Sequence, residues 1–169
     1  LERPFYSLDT RWSAGALAND STEAVSRYSL GRRVERFDMQ QRQFELDGGY
    51  STGLSEGWAL RYLGGVRHDE RTFLARADDP QASLPDDRNL TYPWVGLELI
   101  EDQYVSTRNL DQIARTEDLY LGNRARIEAG LAAAAFGSTH DALMLKAALQ
   151  GGADLGADQY LVNSLDFSG

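Results

Sequence analysis

The stretch "LMLKAALQGGADLG", residues 143–156, decides between helix and strand. Its composition favours a helix, because Leu, Met, Lys, Ala and Gln are all good helix formers. Its order does not. Leu143, Leu145, Ala147, Leu149, Gly151, Ala153 and Leu155 are apolar or small, and Lys146, Gln150 and Asp154 fall between them. That is a period of two, the pattern of a strand with one oily face and one wet face. It outlasts the usual ~5–6 residues of a strand in a soluble sheet.

The same two-faced pattern recurs along the chain. Residues 5–18 set Tyr6, Leu8, Thr10, Trp12, Ala14 and Ala16 against Ser7, Asp9, Arg11 and Ser13, and 18–23 (ANDSTE) carries turn chemistry. Residues 25–37 form a more polar strand with Gly31 at a bulge. Residues 40–52 alternate Phe44, Leu46, Gly48 and Tyr50 with Gln43, Glu45 and Asp47, and 53–57 (GLSEG) is a short turn. Residues 58–73 alternate Trp58, Leu60, Tyr62, Gly64 and Val66 with Arg61 and Arg67. An acidic loop with two prolines covers 74–91, and 92–105 sets Pro93, Val95, Leu97 and Leu99 against Glu98. A polar stretch, 106–118, holds a turn near Ala114 to Asp118. Residues 119–133 set Leu121, Ala125, Ile127, Ala129 and Leu131 against Arg124, Arg126 and Glu128, 136–141 is a turn, and 158–169 ends the chain in mid-pattern.

The expected fold is therefore all-β: an antiparallel up-and-down meander of about eight long strands in a single domain, 1–169. Turn signals come roughly every twenty residues, wider than the ~8–12 of an immunoglobulin-like sandwich. A helical reading of 119–136 and 142–151, where Ala and Leu are dense, is the rival. It would scatter Arg124, Arg126 and Glu128 around the helix, whereas alternation gathers them on one face.

The 169 residues carry 17 basic and 26 acidic side chains, a formal charge of −9. Such a balance argues against a nucleic-acid partner, which needs a basic face. Cysteine is absent, so there is no disulfide framework and no thiolate metal site. The longest apolar run, 130–137, falls short of the ~20 residues of a membrane helix. Strands of a membrane β-barrel need only ~9–11 residues, half of them polar. A start at Leu1, without a signal peptide, is expected of a mature segment or an excised fragment.

Three features favour a barrel whose oily face meets lipid. Polar faces pair opposite charges closely, as in Asp9 with Arg11 and Arg126 with Glu128. Apolar faces rich in Ala and Gly fill a dry core poorly. Aromatics sit near expected strand ends (Tyr6, Trp12, Trp58, Tyr62, Tyr92, Trp94, Tyr104, Tyr120, Tyr160), as in interfacial girdles, although sheet packing explains each singly.

The pieces "RPFYSLDTRWSAG" (3–15), "YSLGRRVERF" (28–37), "GGYSTGLSEGWALRYLGGV" (48–66) and "NLDQIARTEDLYLG" (109–122), in this order, resemble the barrel region of bacterial surface antigens of the D15/Omp85 superfamily, nearest to relatives described as outer-membrane assembly-factor-like. The resemblance implies a bacterial outer-membrane location and part of a sixteen-stranded antiparallel barrel. It also implies a role in outer-membrane protein assembly or polypeptide translocation. The implied partners are outer-membrane lipid, unfolded outer-membrane polypeptides and the remaining barrel strands. The family's Arg-Gly-aromatic loop motif does not occur, since Arg67 is followed by His68 and no Arg-Gly pair exists. No POTRA-like segment is expected within the chain.

No catalytic residue, cofactor or metal site is expected. His68 and His140 lie in or beside turns. Neither a P-loop nor an HExxH pattern occurs. The carboxylates of 68–70 and 116–118 are read as solvated strand ends, and the four Asp of 77–89 lack the fixed spacing of an EF-hand loop. The residues of interest are structural. Leu121, Ile127, Leu131, Leu143, Leu145, Leu149 and Leu155 form the expected lipid face. Arg124, Arg126, Glu128, Lys146, Gln150 and Asp154 form the expected lumen face. The alternative is a small soluble or eight-stranded barrel that binds an apolar ligand, as lipocalins do, with the Leu/Ala faces turned inward.

Overall fold

The computed structural model describes residues 1–108, 116–156 and 159–169. Its strands are β1 (Glu2–Arg3), β2 (Trp12–Ser29), β3 (Arg32–Ser55), β4 (Trp58–Ala75), β5 (Arg88–Glu101), β6 (Tyr104–Arg108), β7 (Thr116–Tyr120), β8 (Arg124–Ala132), β9 (Ala142–Gly156) and β10 (Gln159–Ser168). Eight of them form one antiparallel sheet in the order β1-β2-β3-β4-β5-β8-β9-β10, curled into a half-barrel. β6 and β7 make a separate two-stranded ribbon inserted between β5 and β8. Residues 142–156 are the strand that their alternation predicts.

Two tight turns fix the register of the three longest strands. Leu30 and Gly31 (φ 49° and 76°) join β2 to β3, and Glu56 and Gly57 (φ 51° and 81°) join β3 to β4. Paired positive φ values mark the type I′ turn, whose twist matches that of the strands it links. From these turns the pairing runs from Trp12 opposite Tyr50 to Ser29 opposite Arg32, with one shift near Tyr28. One register row crosses all seven long strands: Trp12, Tyr50, Tyr62, Leu97, Ile127, Ala147, Phe167. Ser51, Arg61, Glu98, Arg126, Ala148 and Asp166 make a row on the opposite face.

Several expected boundaries move. The first long strand begins at Trp12, not Phe5; residues 7–10 bend, with Thr10 N donating to Ser7 O (3.2 Å). Residues 18–23, read as a turn, lie inside β2, and Gly31, read as a bulge, is the hairpin tip. Both errors have one cause: the β2–β3 hairpin continues past its apolar portion into polar sequence, so polarity imitates a turn. The acidic loop is shorter than 74–91, because β4 runs to Ala75 and β5 starts at Arg88. β5 ends at Glu101, and Tyr104–Val105 belong to the ribbon. Residues 119–133 are split between β7 and β8. Of the turn placed near Ala114 to Asp118, Thr116–Asp118 lie in β7, and the earlier residues fall outside the described ones.

The sheet is an inside-out globule. Among the described residues, the buried apolar cluster is small: Leu90, Tyr92, Trp94 and Ala132, flanked by Leu63, Ala142 and Met144. It lies on the concave face. Tyr92 and Trp94 are therefore not interfacial aromatics; they are 4% and 5% exposed. Glycine lets these rings lie flat on the sheet: a Cβ at Gly130 would meet the Tyr92 ring at 2.7 Å. The large apolar side chains of the other face stand exposed, with Leu46, Val95 and Leu165 each above 65%.

The turn geometry is testable by substitution. Gly57→Val forces a β-branched residue into the left-handed region and is expected to cost about 1–2 kcal/mol. Leu30→Asn, at a position fully exposed in the same conformation, is expected to be neutral or stabilising. Denaturant unfolding of the two variants measures both. A stable Gly57→Val variant contradicts the turn assignment.

Candidate membrane-facing surface and interior charge network

Strand alternation puts every second side chain on the convex face. Between Trp58 and His68 that face of β4 shows Trp58, Leu60, Tyr62, Gly64, Val66 and His68, none of them an acidic, Lys or Arg side chain. At ~3.3 Å per residue and a tilt near 45°, this run spans roughly 25 Å across a sheet, the height of an outer-membrane barrel's apolar band. The band carries across the sheet through Ala16, Leu46, Val66 and Pro93, and through Leu99, Ala125, Leu149 and Leu165. Charge returns as a row at one rim: Asp20, Arg42, Glu70 and Asn89 are successive register partners. Arg42 pairs there with Asp20 (3.5 Å) and Glu70 (3.4 Å). Near the other rim, Trp12, Tyr50 and Tyr62 line up side by side, each about half exposed.

Of the seven expected lipid-face residues, Ile127, Leu131, Leu143, Leu145, Leu149 and Leu155 stand exposed on this face. Leu121 does not. It lies between β7 and β8, 1% exposed, and its Cα sits 2.6 Å from where a Cβ of Gly152 would be. It packs over the concave side of β9, so its assignment to the outer face is corrected. The insertion of the ribbon breaks the alternation at this point.

The expected lumen residues share the concave face. Arg124 faces Gln150, Glu128 faces Lys146 and Asp154 faces Tyr160. Register also gathers charges the sequence left scattered. Glu98, 2% exposed, is the hub. It accepts from Arg61 Nη1 (3.0 Å) and from Arg124 Nε and Nη2 (3.0 and 2.5 Å), and Arg126 stands at 3.9 Å. Arg126 also donates to Glu128 (2.5 Å), a pair legible from adjacent sequence. Further along, Arg67 grips Glu45 through two nitrogens (2.8 and 2.5 Å) and lies over the Trp94 ring. Asp69 accepts from Gln41, Gln43 and Arg71. Burying a charge is tolerable only when it is paired and hydrogen-bonded, and each carboxylate of this ladder accepts from at least one Arg.

The N-terminal segment lies against the same face. Phe5 stacks on the Arg61 guanidinium (4.3 Å), Ser7 O accepts from Arg61 Nη2 (3.3 Å) and Arg11 Nη1 donates to Thr52 O. Arg11 thus binds backbone across the sheet. Beneath Phe5 is a cavity of about 230 Å³ lined by Asp47, Arg61, Trp94, Glu98 and Arg126. Sequence reading missed this docking, for which Pro4 and the Ser7–Thr10 bend were the available signals.

The remaining candidates are occupied locally. His68 Nδ1 and Thr91 Oγ1 share a hydrogen bond (2.8 Å). In the acidic loop, Asp78 pairs with Arg36 and Arg76, Asp79 accepts from Arg36 N, and Asp87 accepts from Phe73 N. Beside Arg76, hydrogen bonding holds the Asp78 carboxyl below its ordinary range. Among the described residues, no group of three His, Asp or Glu side chains is arranged to hold a metal ion. No helix among them is long and apolar enough to cross a membrane, which says nothing of crossing by strands. Comparison with family models, with curated proteins and with solved structures returns no match to this chain.

The hub makes a quantitative demand. Glu98→Ala leaves Arg61 and Arg124 facing each other without their shared anion and is expected to cost about 3–5 kcal/mol. Combining it with Arg61→Met is expected to cost less than the sum of the two single changes. Urea unfolding of the folded chain in detergent, run as a double-mutant cycle, reads this coupling; strict additivity contradicts it.

Proposed function

We propose that the chain is an arc of a bacterial outer-membrane β-barrel wall, with the Leu/Ala/aromatic face toward lipid and the Glu98 ladder toward the lumen. The observation that carries this reading is the uncharged convex band, which continues from strand to strand and stops at a rim of ion pairs. A lumen lined by paired charges and an outside of Leu, Ala, Val and aromatics is the reverse of a soluble barrel. A lipocalin-like binder needs its apolar face around the cavity, whereas here the concave side carries Arg61, Arg67, Glu98 and Arg126.

The D15/Omp85-like succession of segments extends the proposal to a non-enzymatic part in outer-membrane protein assembly or polypeptide translocation. The partners are then outer-membrane lipid, unfolded outer-membrane polypeptides and the remaining barrel strands.

Leu145 and Lys146 are neighbours on opposite faces and provide the test. Leu145→Arg places a charge on the lipid face and is expected to cost about 2–4 kcal/mol of folding into phosphatidylcholine vesicles if it lies near mid-bilayer. Lys146→Leu is expected to be much milder. Flotation of folded protein with vesicles, at graded urea, measures both. Equal tolerance at the two positions, or no flotation of the unsubstituted chain, sinks the proposal.

A further inference from the structure

We infer that the sheet carries a small-molecule site at one end of its concave face, where Arg124 and Gln150 take the carboxylate of an aromatic monoanion and a pair of tyrosines takes its ring. The inference goes beyond the barrel reading and does not depend on which face meets lipid.

The site is a cavity of about 430 Å³, within the ~300–1,000 Å³ of small-molecule sites. Its floor is one register row, Ile100, Arg124 and Gln150, with Arg61 from the next row. The N-terminal segment forms one wall through Phe5 to Leu8. The base of the ribbon forms the other, where Tyr104 and Tyr120 are register partners with ring centroids 5.1 Å apart. The Tyr120 hydroxyl donates to Asn123 O (3.1 Å). Among the described residues, neither the Tyr104 hydroxyl nor the Gln150 amide has a hydrogen-bond partner. Arg124 gives Nε and Nη2 to Glu98 and keeps Nη1, and its side chain is 44% exposed. Unused donors of Tyr104, Arg124 and Gln150 thus belong to one cavity.

Charge selects the ligand. Although the chain carries a formal charge of −9, this cavity is lined by two arginines and no carboxylate. The ion-paired network beside it does not cancel, because Arg61, Arg124 and Arg126 outnumber Glu98 and Glu128 by one. One surplus positive charge suits a monoanion, and a dianion exceeds it. The neighbouring cavity beneath Phe5 differs: Glu2 and Asp47 stand among its lining residues and repel an anion. A carboxylate offers two coplanar oxygens. Arg124 and Gln150 are direct register partners, so one oxygen takes Arg124 Nη1 and the other takes the amide. Ile100 and the rings of Phe5, Tyr104 and Tyr120 supply apolar contact to a flat ring. A neutral ring leaves the Arg124 donor unused, and a cationic one meets two guanidinium groups.

Isothermal titration of the folded chain in lauryl maltoside, corrected for micelles alone, compares 2-naphthoate with 2-naphthamide and 2-naphthylmethylammonium. Naphthoate is expected to bind at least about tenfold tighter than the amide, the worth of a hydrogen bond to a charged group, and the ammonium not to bind. Gln150→Leu is expected to weaken naphthoate roughly tenfold and Tyr104→Ala roughly fivefold, with far-UV circular dichroism unchanged. Arg124→Gln removes the surplus charge and is expected to abolish binding; if that variant fails to fold, the other two decide. Asp47→Asn, in the neighbouring cavity, is expected to leave the affinity as it is. No binding of naphthoate, equal affinity for the three ligands, or unaltered naphthoate binding in Gln150→Leu or in Tyr104→Ala overturns the inference. So does tighter binding to Asp47→Asn, which places the ligand in the neighbouring cavity. Vesicle flotation is read separately: naphthoate binding without flotation keeps the site and sinks the outer-membrane reading.

Discussion

The constraint on which everything else depends is register. A strand sends alternate side chains to opposite faces, so a one-residue slip in any pairing exchanges its two faces. Here the exchange would be severe. Sliding β4 against β5 by one residue would turn Arg61 into the apolar band and strip buried Glu98 of one of its two hydrogen-bonded guanidinium partners. The type I′ turns at Leu30–Gly31 and Glu56–Gly57 set the register locally, and the Glu98 ladder holds it across strands that are distant in sequence.

That arrangement also explains why the concave face is not an ordinary core. A core of aliphatic side chains would fill the space but would not choose between registers, since Leu and Ala are interchangeable across neighbouring rows. Paired charges choose, because each unpaired guanidinium or carboxylate is costly in a low-dielectric interior. The flat rings of Tyr92 and Trp94 and the docked Phe5 supply the remaining contacts. The apolar surface left over is large and continuous, and it lies on the outside.

The strands were largely legible in the sequence, because period-two alternation survives wherever one face is oily and the other wet. The reading failed where that contrast disappears. Residues 18–29 have no oily face, since β2 there runs beyond the band, and a polar strand looked like a turn. Leu121 fitted the alternation by its number, yet the inserted ribbon shifts the frame and buries it. The face assignments of Arg124, Arg126, Glu128 and Lys146 needed only local spacing. The hub at Glu98 needed the partners of β4 and β8, which are far away in sequence and meet only through register.

In the proposed barrel wall the convex face meets lipid and the concave face does not. The chain's three tryptophans report on it directly. Trp12 and Trp58 stand on the convex face, and Trp94 is buried on the concave one. Three single-tryptophan variants, the others replaced by Phe, are folded into vesicles of phosphatidylcholine brominated on its acyl chains, and fluorescence is compared with that in unbrominated vesicles. Strong quenching is expected for the Trp12 and Trp58 variants and little for the Trp94 variant. Quenching of Trp94 as strong as that of the other two, or none at all in any variant, contradicts it.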